Sequence, residues 1–96
     1  MAIKTIIELQ AKAGQRDELV KIMNEVTVTM QAVPRFLGFS FYEVLDSPDG
    51  LIEIAEWETS AARETWLKQS MNAGELSRLV DLLAAPFKAV NIRKMP

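Results

Sequence analysis

Residues 3–11 alternate in polarity and are rich in β-branched side chains. Ile3, Thr5, Ile7 and Leu9 fall on one face and Lys4, Ile6, Glu8 and Gln10 on the other, a pattern that predicts a half-buried strand. Lys12-Ala13-Gly14 reads as a turn into a helix whose first turn carries Asp17 and Glu18, where the helix dipole favours negative charge. Leu19, Ile22, Met23, Val26 and Met30 recur at helical spacing as one apolar stripe. Val33-Pro34 ends the helix, because the residue before proline disfavours helical backbone.

A second strand is predicted over Phe36 to Leu45, with Phe36, Phe39, Phe41 and Tyr42 spread over both faces, so both faces need a cover. Asp46-Ser47-Pro48-Asp49-Gly50 carries the turn formers of a hairpin leading into Leu51 to Glu58. Ser60 is placed to cap a short helix reaching about Ser70. Asn72, with Glu75 three residues on, is placed to cap a second piece whose stripe is Leu76, Leu79, Val80 and Leu83. Pro86 stops that piece, and Phe87 to Arg93 is the last strand.

The order β-α-β-β-α-β is that of a ferredoxin-like α+β fold: one domain over residues 1–96, an antiparallel four-stranded sheet, and helices on one face. Side chains alternate along a strand, so the four aromatics of the second strand cannot all face the helices. The other face then needs a second sheet, and a homodimer supplies it. Composition agrees, because 49% hydrophobic residues is high for a 96-residue chain.

The remaining composition narrows the chemistry. A net charge of −2 with no basic run leaves no electrostatic footprint for nucleic acid, which also counts against an RNA-binding sheet of this topology. No stretch approaches a membrane span, and the first ten residues lack a signal peptide's order, so a cytoplasmic setting is expected. With no Cys and no His, thiol nucleophiles, imidazole bases, most zinc sites and a histidine-ligated haem are excluded. Asp46 and Asp49 read as turn formers, and no dense acidic loop suggests a metal.

Four residues are candidates for a small-molecule site. Trp66 reads either as helix packing or as a stacking wall for a flat ring. Trp57, at a strand end, reads first as structural. Tyr42, the single tyrosine, lines a cleft or faces the dimer partner, and Met23 fills core or lines a cavity. Glu53, Glu56 and Glu58 crowd the third strand, with Glu53 on the face of Trp57 and the other two opposite. A buried carboxylate there could take a substrate proton. Pairing with an arginine or lysine at an edge or interface is the expected fate of these acids, and Arg35, Arg63, Arg78 and Arg93 are available.

Three segments together resemble the antibiotic biosynthesis monooxygenase family over nearly the whole length. They are Lys12-Ala13-Gly14 leading into the first helix, Pro34-Arg35-Phe36-Leu37-Gly38-Phe39 opening strand two, and Glu56-Trp57-Glu58-Thr59-Ser60 closing strand three. The resemblance implies a dimeric α+β barrel with a cleft between sheet and helices, and oxidation of planar quinol- or anthrone-like compounds by O2 with no cofactor. A haem-degrading branch is marked by a histidine ligand, a tryptophan and an asparagine. Trp66, nine residues after Trp57, is similar to that tryptophan. Leu76 stands at the histidine position and Ile7 near the asparagine, and leucine cannot ligate iron, so haem degradation is not expected. Two functions remain: a cofactor-independent monooxygenase, or a non-catalytic small-molecule-binding or accessory protein of the same dimeric fold.

Overall fold

The alternating N-terminal segment forms β1 (Ile3–Gln10). The computed structural model describes residues 2–96, apart from the side chains of residues 71–73 and 75. It continues with α1 (Arg16–Gln31), β2 (Phe36–Glu43), β3 (Gly50–Trp57), α2 (Ser60–Ala73), α3 (Glu75–Asp81) and β4 (Lys88–Ile92). All strand pairings are antiparallel in the order β2-β3-β1-β4, which is the ferredoxin-like arrangement expected from the element order.

The register fixes which side chains face the helices. Ile3 pairs with Trp57, Thr5 with Ala55 and Leu9 with Leu51, and all six are buried. Against them lies the stripe of α1, where Leu19, Ile22, Met23, Val26 and Met30 are all buried as the helical spacing requires. Each such side chain contributes roughly 1.5–3 kcal/mol of gross burial energy. Thr27 is buried in the same stripe.

β2 departs from simple alternation. Phe36 pairs with Trp57 and Gly38 with Glu56, so Leu37 is an extra residue in a bulge. The bulge resets the parity and brings Phe36, Phe39 and Phe41 to the helix side, all three packed against the core. The expectation that the aromatics of this strand divide between the faces therefore holds only for Tyr42, which is on the outer face and 49% exposed. The apolar character of that outer face comes from other strands, through Ile6, Ile52, Ile54, Val90 and Ile92.

Several local expectations shift by a residue or two. Thr59, rather than Ser60, caps α2, its Oγ1 accepting the Ala62 N–H at 3.2 Å. The helix runs past Ser70 and breaks at Gly74, whose φ of 76° ends α2 and opens α3. The side chains of Asn72 and Glu75, proposed from sequence as a capping box, lie outside the described residues. Val80 is exposed and does not join the stripe of Leu76, Leu79 and Leu83. The hairpin is two successive turns, with Ser47 N–H donating to the Val44 carbonyl and Gly50 N–H to that of Ser47. Among the described residues no helix is long and apolar enough to cross a membrane.

Candidate functional site

Two polar features stand inside the helix-facing interior, and both depend on threonines of α1. Thr29 Oγ1 donates to the Val26 carbonyl and accepts the indole N–H of Trp66 at 3.0 Å. The hydrogen bond satisfies the one polar atom of a side chain that is otherwise buried. Trp66 lies against Trp57, ring centres 6.0 Å apart, and Trp57 takes Phe36 edge-on at 4.9 Å. These three rings form an aromatic wall joining α2 to β2 and β3.

The second feature is Glu53, fully buried on β3. Its cross-strand neighbours are Ile7 and Phe41, and Leu51 and Ala55 flank it along its own strand. Its polar partner is Thr27, whose Oγ1 is 3.3 Å from Glu53 Oε2 and 2.8 Å from the Met23 carbonyl. Among the described residues Glu53 Oε1 has no partner, and the pairing with arginine or lysine expected from the sequence is not found at Glu53. The other two acids of β3 and its end do pair: Glu56 with Lys4 at 3.7 Å, Glu58 with Arg35 at 3.4 Å.

Burial pushes the Glu53 carboxyl up to about 7, and the Thr27 contact offsets only part of that rise. A threonine hydroxyl has one proton, which Thr27 shares between the Met23 carbonyl at 2.8 Å and Glu53 Oε2 at 3.3 Å, so its hold on the carboxylate is weak. Thr29 gives its proton to the Val26 carbonyl and accepts from Trp66.

Of the four sequence candidates, the structure brings Trp57, Trp66 and Met23 to one side of the sheet. Met23 is the residue whose carbonyl fixes Thr27. Tyr42 is on the opposite face, where it lines a shallow cavity of about 360 Å³ with Lys4, Ile6, Ile54, Glu56 and Ile92. Tyr42 also borders a groove of about 310 Å³ between α1 and β2, walled by Val20, Phe41 and Leu51 and rimmed by Arg16, Asp17 and Glu43. Sequence reasoning missed Thr27 and Thr29. The available signal was a threonine at the Met23+4 position of an otherwise apolar stripe, which must find a partner inside the core.

Comparison with known proteins places this arrangement. No protein of curated function matches the chain in sequence. Among solved structures, a conserved protein from Methanosarcina mazei superposes with a TM-score of 0.88 at 16% identity, covering 99% of this chain and 94% of that one. SnoaB from Streptomyces nogalater, a cofactor-independent oxygenase, gives 0.87 at 14% identity with the same coverages. Rv0793 from Mycobacterium tuberculosis gives 0.85 at 12% identity, covering 100% and 97%. At such identities the likeness speaks for the fold. The family profile of the antibiotic biosynthesis monooxygenases matches residues 2–71, most of the chain and every element from β1 into α2. The chain belongs to the antibiotic biosynthesis monooxygenase family.

Proposed function

We propose that this protein is a cofactor-independent monooxygenase for a planar, electron-rich small molecule of the quinol or anthrone kind, working in the cytoplasm as a homodimer. The observation that carries the reading is the composition of the helix-side interior. An aromatic wall of Trp57, Trp66 and Phe36 and a solitary carboxyl, Glu53, share the helix side of the sheet in otherwise apolar surroundings, with Ala55 between Trp57 and Glu53 on β3. Family membership supports the reaction class.

The chemistry asks little of the protein. An ionised anthrone-like methylene gives an electron to O2, and the two radicals join in a new C–O bond. Loss of water from the resulting hydroperoxide leaves a carbonyl, and the second oxygen atom departs in that water. The protein's part is to orient the ring, exclude solvent and assist ionisation. Trp66 and Trp57 stack the ring, and Met23 adapts the wall to its outline.

The dimer rests on the outer face of the sheet. Four strands about 4.8 Å apart and up to eight residues at about 3.3 Å each make a face of roughly 20 by 25 Å. Its centre is Ile6, Ile52 and Ile54, with Tyr42, Val90 and Ile92 exposed around them. A face of about 500 Å² is at the upper end of the apolar patches that monomers leave bare. A second copy is the fitting occupant, because Lys4 and Glu56 stand side by side on the face and leave it without a net charge for a charged partner. In this reading Tyr42 belongs to the dimer face.

Oxygen uptake over a panel of quinols and anthrones tests the activity. Wild type should consume O2 above the buffer rate with at least one member. Trp66→Phe, which loses the bond to Thr29 and part of the wall, should slow that uptake roughly 10-fold. A wild-type rate equal to buffer across the panel would remove the oxygenase reading for those compounds and leave the non-catalytic binder.

A further inference from the structure

The interior holds a buried carboxyl with a free oxygen, one side chain away from an open groove. The groove between α1 and β2 is walled by Val20, Phe41 and Leu51. Phe41 is the cross-strand neighbour of Glu53, and Leu51 is two residues from it on the same face. Phe41, whose ring is only half-buried, therefore stands between the groove and Glu53. At about 310 Å³ the groove is at the lower end of the range for small-molecule sites.

We propose that this groove admits the ligand and that Glu53 is the residue that removes its hydroxyl proton. The proposal rests on the oxygenase reading above and adds to it the group that ionises the substrate. The ligand class is a planar phenol, quinol or enol, whose ring lies on Phe41 and whose O–H points at Oε1. In the step itself the substrate O–H bond breaks, its proton passes to Glu53, and the electron pair stays on the substrate as phenolate or enolate. O2 is then the oxidant that this anion reduces.

Three observations support the assignment. Glu53 Oε1 is a buried acceptor with nothing to accept, and such atoms are rare unless a ligand, water or reaction uses them. Thr27 shares its one proton between the Met23 carbonyl and Glu53 Oε2, so it compensates the carboxylate charge only weakly and leaves it basic. Among the described residues no charged side chain acts on Glu53. β1 presents Thr5, Ile7 and Leu9, β2 presents Phe39 and Phe41, and α1 presents Met23 and Thr27. The groove rim carries Asp17 and the pair Arg16 and Glu43, 3.6 Å apart. A carboxyl in that setting is basic enough to take a phenolic or enolic proton near neutral pH.

The decisive variant is Glu53→Gln. Its amide nitrogen donates to Thr27 and its oxygen still accepts from a ligand hydroxyl, so binding survives while proton transfer does not. For a turned-over substrate, wild-type kcat/KM should rise about 10-fold per pH unit and level off above about 7. Glu53→Gln should lose roughly 100-fold or more in kcat with KM changed less than about 3-fold. A variant that keeps the wild-type rate and pH profile overturns the proposal. Should wild type turn over nothing in the panel, the oxygenase reading falls alone and the site is decided by binding of 2-naphthol. Binding that moves the Glu53 side-chain carboxyl 13C resonance and is lost in Val20→Trp supports the groove and its acceptor. Absent binding, or binding that leaves that resonance unmoved, overturns them.

Discussion

Glu53→Gln should make the protein more stable than wild type by about 3 kcal/mol at pH 8 while leaving the two nearly equal at pH 4. The reason is linkage between protonation and folding. In the unfolded chain Glu53 ionises around its ordinary value of 4.5, whereas in the fold burial holds the proton to about 7. Because the folded value is the higher one, the native state binds the proton more tightly. That advantage is fully present below 4.5 and is lost as pH rises toward 7. The span of about two and a half pH units, at about 1.4 kcal/mol each, gives about 3 kcal/mol. Glutamine has no charge to desolvate and keeps the contact to Thr27, so it escapes the loss. Urea unfolding of both proteins at fixed concentration across pH 4 to 8 checks this, fixed because a dimer's stability depends on concentration. Parallel pH dependences in the two proteins would mean that Glu53 is not held neutral in the fold.

Ile54→Arg should convert a particle of about twice 10.8 kDa into a folded monomer of 10.8 kDa. Ile54 is at the centre of the outer face, between Ile6 on β1 and Ser40 on β2, and its side chain points away from the helix-side core. Arginine is therefore tolerated in a free protomer, where it reaches water. In a closed dimer it would be an unpaired charge in an apolar contact, at a cost of roughly 3–5 kcal/mol per copy. That cost weakens association by more than a hundredfold. Light scattering at micromolar protein, with circular dichroism to confirm retained secondary structure, gives the answer. A wild type that runs as a monomer would leave the Ile6, Ile52 and Ile54 face bare and remove the dimer from this description.

How much of this was legible in the sequence depended on whether one periodicity decided the matter. The α1 stripe and the alternation of β1 were readable because only one arrangement buries Leu19, Ile22, Met23, Val26 and Met30 together against Ile3, Thr5 and Leu9. β3 was ambiguous. Leu51, Glu53, Ala55 and Trp57 on one face and Ile52, Ile54 and Glu56 on the other are each mostly apolar with one acid. Periodicity alone therefore could not tell which glutamate would be buried without a cation. The bulge at Leu37 has no local signature beyond the neighbouring glycine, yet it decides the side taken by Phe36. Trp66, Trp57 and Met23 could be named as candidates from residue type. Their meeting on one face with Thr27 and Glu53 is set by long-range pairing, and so is the placing of Tyr42 on the other.

A side-chain carboxyl 13C titration by NMR, with Glu53→Gln identifying the resonance, bears most directly on the neutral acid at the heart of the interior. A midpoint of about 7, with Glu53 still protonated at pH 6, is the expected result. A midpoint near the ordinary 4.5 would show Glu53 ionised throughout the neutral range and would contradict the part assigned to Glu53 in the reaction.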